Sequence, residues 1–173
     1  YEAFVSNRGG YTVDGTTADK NNVGYSYDYQ YRDTTTASQG DLLDYILVSR
    51  LPHISSKSTY LSTYMFVDQL SEGIRCNNDF NIALYRNQED AQANNTEAAE
   101  EIWHLYPDGN DNAVYQIDTE EGSTAQKIRV FLTEAGLRKI NGGEDSRDGY
   151  SDCYMVLFYT ATVKTDDSVV LGD

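Results

Sequence analysis

The chain of 173 residues has two cysteines, two histidines, two prolines and one tryptophan, and few cations: 13 Lys and Arg stand against 28 Asp and Glu. Each shortage excludes something. Cys76 and Cys153 stand neither in a C-x-x-C pair nor beside a histidine cluster, so zinc binding and dithiol redox chemistry lack a ligand set. With His53 and His104 isolated and no glycine-rich phosphate loop, no nucleophile is accompanied by an evident base, and the chain reads as something other than a turnover enzyme, with no cofactor and no metal. The net charge of -15 sets the surface against nucleic acid and against an anionic membrane, both of which it repels at long range. No apolar run approaches the roughly 18 residues needed to span a bilayer.

What is abundant points to strands. Fifteen tyrosines and 13 glycines, with many short runs rich in Tyr, Thr and Val, favour an all-β chain, because such side chains suit a half-buried pleated surface. At this length it reads as one domain, residues 1–173, with a core large enough to stand without metals or many disulfides. Residues 1–39 form its partly irregular arm or edge hairpin, with a turn at Asp14-Gly15 and then YSYDYQYR, in which Tyr25, Tyr27, Tyr29 and Tyr31 share one face. Those rings either cover core or offer an aromatic strip for sugar or protein contact. DLLDYILVSRL is too continuously apolar to be exposed on either side. Strands are also expected over 80–85, 113–118, 125–132 and 153–163, the last the longest and central. Residues 87–101 lack β-branched side chains except Thr96 and read as short surface helical turns. In TEAGLRKIN, Thr133 caps a short helix that Asn141-Gly142 ends. Trp103 either anchors the 87–101 excursion to the core or serves as a ligand platform.

The stretch TYLSTYMFVDQLSEGIR, residues 59–75, sets one acid at the end of an apolar run. Read with period two, Tyr60, Ser62, Tyr64, Phe66 and Asp68 share one face, and both faces are largely apolar, as in a strand inside a sandwich. A carboxylate continuing the aromatic face must be paired, protonated or exposed, since burying it bare costs several kcal/mol. Asp68 either does this or simply caps the turn that follows.

Cys76 follows that turn and Cys153 opens the last long strand, so adjacent strand ends are expected to join them in a disulfide worth about 4 kcal/mol by chain entropy; the alternative is two buried thiols. The acidic stretches 108–112 and 144–152 lack the spacing of a calcium loop. Acids Asp108, Asp111, Glu144 and Asp148, with Trp103 or the tyrosines as platform, frame a rival reading, a carbohydrate-binding or glycoside-hydrolase β-sandwich. Hydrolysis there requires two inward carboxyls about 5 to 9.5 Å apart.

The runs DYILVSRLPHISSKSTYLSTYMFVDQLSEGI, NNDFNIALY and CYMVLFYTATVKTDDSVVLGD, within residues 40–173, resemble the isopeptide-forming fimbrial proteins of Gram-positive bacteria, more narrowly the domain type related to the collagen-adhesin module. The resemblance implies an immunoglobulin-like β-sandwich with one or two short surface helices, carried on a cell-wall-anchored pilin or adhesin outside a gut bacterium. Its expected partners are neighbouring domains of the same protein and a host glycoprotein or glycan such as mucin, matrix protein or immunoglobulin. In that family a Lys on the first strand attacks an Asn side-chain amide on the last, and a buried acid polarises the carbonyl. Asp68 matches the acid. Only Lys20 precedes the core strands and no Asn follows Asn141, so the chain reads as a fragment lacking its closing strand, in which no internal isopeptide is expected to form.

Overall fold

The computed structural model describes residues 2–10, 39–106, 111–119, 122, 125–143 and 149–164. They build nine strands: β1 (Glu2–Gly10), β2 (Asp41–Arg50), β3 (Met65–Gln69), β4 (Ile74–Cys76), β5 (Asn81–Tyr85), β6 (Glu101–His104), β7 (Ala113–Thr119), β8 (Gln126–Leu132) and β9 (Tyr154–Val163). Two short α-helices, α1 (Gln88–Ala93) and α2 (Glu134–Asn141), join them. A six-stranded sheet runs β1-β2-β9-β5-β6, with β4 also on β9, and a three-stranded sheet runs β3-β8-β7. Every pairing is antiparallel. The fold is the expected all-β sandwich with short helices, and no helix among the described residues is long and apolar enough to cross a membrane.

The sequence pattern explains the layers. In β8 alternate residues Ile128, Val130 and Leu132 are buried, and they meet Leu47, Ile82, Leu157 and Tyr159 of the large sheet in one core cluster. The strands β2, β5 and β9 are apolar on both faces. Their outer face, with Ile46, Val48, Ala83, Tyr85 and Val156, is covered by Ala91 of α1 and by Ala99. The excursion over 87–100 is thus a lid on the second face of the sheet, which accounts for the unbroken apolar run of β2.

The 59–75 stretch departs from expectation. Where a strand from Tyr60 to Asp68 was expected, β3 begins only at Met65, after a 3-10 turn at Lys57–Thr59, and the turn that follows leads into β4 of the other sheet. Gly73, at φ 90°, makes the crossing turn, a left-handed conformation that glycine adopts without strain. β3 lies at the rim of the small sheet and Met65 is 50% exposed on it, so only its Phe66 and Asp68 face looks inward.

β1 and β9 flank β2 and run the same way. Glu2 is level with Val48 and Val48 with Val156, while the far end of β9, Thr162, is level with Leu42. The start of β1 and the end of β9 at Val163 are therefore about 23 Å apart along the strands, at opposite ends of the sandwich. A bulge between Asn7 and Gly9 leaves Arg8 as the extra residue, and its guanidinium donates from Nη2 at 2.5 Å and from Nε at 2.9 Å to the two oxygens of buried Asp44.

Candidate functional site

Asp68 lies opposite Ile128 in the β3–β8 ladder, on the same side of β3 as fully buried Phe66. Its parity aims it at the large sheet, where odd-numbered residues of β9 look inward. Tyr159 there is 2% exposed, and its hydroxyl donates to Asp68 Oδ2 at 2.6 Å. The backbone N–H of Gln69 donates to Oδ1 at 2.9 Å. The acid is thus both things considered from sequence: an inward carboxyl and a local cap. The ring of Tyr159 stacks on Tyr45 at 5.3 Å between centroids and tilts against Phe80 at 4.9 Å, so aromatic carbon surrounds the pair.

Burial raises the Asp68 pKa above the ordinary carboxylate value, and the hydrogen bonds from Tyr159 and Gln69 only partly offset it. Burial, with the Asp68 charge added, pushes Tyr159 well above an ordinary phenol. Tyr45 rises to about 12 for the same two reasons. The tyrosines therefore stay neutral donors at any physiological pH. A carboxyl so placed holds its proton more tightly than one in water.

Asn141, 6% exposed, is committed elsewhere: its side chain accepts from Leu61 N at 2.8 Å and donates to Leu61 O at 2.9 Å. Lys20, Tyr25 and Tyr27 lie outside the described residues. Trp103 is a core residue rather than a platform, 3% exposed in β6, its Nε1–H donating to Glu101 Oε1 at 2.7 Å. The expected disulfide is absent: Cys76 and Cys153 are buried free thiols. Cys76 is level with Ala161, whereas Cys153 precedes the first residue of β9, about 26 Å back along the strand, far beyond the reach of an S–S bridge. Strand direction misled that expectation, because β4 joins the end of β9 and not its start.

Two other groupings invite chemistry. Glu101 Oε1 also accepts from Lys139 Nζ at 2.7 Å and Oε2 from the Tyr150 hydroxyl at 2.9 Å, beside a shallow cavity of about 520 Å³. Burial there would raise Glu101, but the hydrogen bonds from Lys139, Trp103 and Tyr150 outweigh it and hold its pKa low. Of the four acids of the hydrolase reading, Asp108, Glu144 and Asp148 lie outside the described residues and Asp111 is exposed. At the surface, His53 Nδ1 is 2.5 Å from Asp152 Oδ2 and 3.4 Å from Ser151 Oγ. Because acid and hydroxyl share one ring nitrogen, the imidazole has no second nitrogen aimed at the serine, and the trio lacks the relay of a hydrolytic triad. No group of three His, Cys, Asp or Glu among the described residues could hold a metal ion.

Tyr159 and Tyr45 are the site residues that sequence reading missed. The signal was their parity: both sit at inward positions of long strands whose partner had not been identified.

No protein-family model matches this chain, and no curated protein matches it. Among solved structures it is similar to the full-length structure of the RrgB pilus protein from Streptococcus pneumoniae, at 16% identity and a TM-score of 0.41, over 94% of this chain and 20% of that one, so that the chain spans about a fifth of that protein's length.

Proposed function

We propose that this chain is a structural module of a bacterial cell-surface or pilus protein, working outside the cell in a wall-anchored parent. The observation that carries the reading is the course of β1, β2 and β9. Tension applied at the start of β1 and the end of β9 runs along these strands and across ladder bonds that stand perpendicular to it, so many bonds must break together. The sequence resemblance over residues 40–173 supports the same reading, as does the acid of that family standing between the sheets at Asp68. In a parent chain that brings a Lys and an Asn to Asp68, the module would form one internal isopeptide bond and turn over no substrate. The module would present a host glycoprotein or glycan with its loops and with Tyr25 and Tyr27.

The location is tested by immunodetection in fractionated cells of the producing bacterium. The parent protein is expected in the wall digest, and recovery in the cytosol would end the proposal. For the partner, a glycan and host-glycoprotein array with the full chain is expected to show binding that Tyr25→Ser with Tyr27→Ser weakens at unchanged thermal stability. Undiminished binding by that variant would remove the tyrosines from the recognition surface.

A further inference from the structure

We propose that Cys76 and Gln126 form an internal thioester that ties β4 of the large sheet to β8 of the small one. Gln126 is 8% exposed, and its side chain crosses from the small sheet to the large, where Oε1 accepts from the backbone N–H of Cys76 at 2.9 Å. Its amide nitrogen has no hydrogen-bond partner among the described residues, so the carboxamide is aimed at Cys76 and held by its carbonyl alone. That contact places the carbonyl carbon within roughly 4 Å of Cys76 N, and the Cys76 sulfur is three bonds from the same nitrogen. Nucleophile and electrophile thus share one small space. The Cys76 Sγ–H now rests on Asn78 Oδ1 at 3.7 Å, and Asn78 itself is held at φ 61°.

In the reaction, Sγ attacks Cδ of Gln126, the Sγ–Cδ bond forms, the Cδ–Nε2 bond breaks, and the thiol proton leaves with the nitrogen as ammonia. No electron changes hands and no co-reactant is needed. The Cys76 N–H already sits where the negative oxygen develops, the role of an oxyanion-hole donor. Burial keeps the thiol protonated and the attack slow, and the same exclusion of water protects the thioester from hydrolysis. Cys153 supplies an internal contrast: it is equally buried, but its sulfur meets the Arg86 guanidinium and the Ser151 carbonyl, with no carboxamide to attack.

Intact mass of the full chain after denaturation tests the proposal. The expected mass is one ammonia below that of the sequence, with one thiol open to iodoacetamide; methylamine should then add once, at Gln126, and release the second thiol. Cys76→Ser and Gln126→Ala should each have the mass of their own sequence. The wild-type protein decides the matter whether or not those variants fold. A full sequence mass with two alkylated thiols overturns the proposal. An ammonia loss that resists methylamine also overturns it, since that is the behaviour of an amide cross-link.

Discussion

Asp68 spends one oxygen on Tyr159 and the other on the Gln69 backbone, and each partner has a separable consequence. Tyr159→Phe removes the one side-chain donor that reaches the acid among the described residues while keeping the ring in its stack, and leaves a partly buried carboxyl short of a partner. A loss of about 1 to 3 kcal/mol in urea unfolding is expected. The proton follows a definite sign. The Asp68 pKa in the folded chain lies above its ordinary value, so the folded state binds the proton more tightly; the contribution is fully present below the ordinary carboxylate pKa and is lost as pH rises through the folded one. Asp44 moves the same way, by burial that Arg8 offsets in part. The difference in stability between wild type and Asp68→Asn, in which Asp44 cancels, should therefore shift in favour of the variant as pH goes from acid to neutral. A difference that does not change with pH would show that Asp68 titrates as if in water. The acid itself was legible in sequence, as a charge continuing an aromatic face. Its partner was not, because the pairing joins residues on different sheets, 91 positions apart, and parity alone does not say which inward tyrosine meets which acid.

At the scale of elements, α2 shows how the strands are tied at one end. The Thr133 side chain accepts from Gly136 N at 3.2 Å, and acid at Glu134 with base at Arg138 and Lys139 suits the helix dipole. Thr133→Ala should cost about 1 kcal/mol. Gly136 is required by space: a methyl group there would collide with the Asn112 carbonyl oxygen, so Gly136→Ala should destabilise by about 1 to 3 kcal/mol. Asn141→Ala would strand both backbone groups of Leu61 and should cost about 2 to 3 kcal/mol; all three losses are read as shifts in the denaturation midpoint. The helix with its cap was legible, and so were β2, β5, β7, β8 and β9, because each carries a clear period or an unbroken apolar run. β6 escaped notice: EIWH is four residues long and its only pattern is a tryptophan. Over 60–68 a longer strand was read than forms, because Tyr, Thr, Phe and Val favour strand wherever they occur; the turn ending at Gly73 was expected, but propensity does not reveal that it sends the chain across to the other sheet as β4.

For the whole molecule, the direction of strands matters more than their number. β2 pairs with β9 over nine consecutive positions, from Leu42 with Thr162 to Arg50 with Tyr154, and β1 lies along the other side of β2. Pulling at the start of β1 and the end of β9 loads these ladders in shear. Pulling at the start of β1 and the end of β2, which lie together because Glu2 pairs with Val48, opens a ladder one bond at a time. Single-molecule pulling of the full chain in both geometries, with handles attached at Glu2 and Lys164 or at Glu2 and Arg50, tests the proposed tension-bearing role most directly. The account predicts a distinctly higher rupture force for the first geometry than for the second; equal forces, or a lower force along the strands, would contradict it.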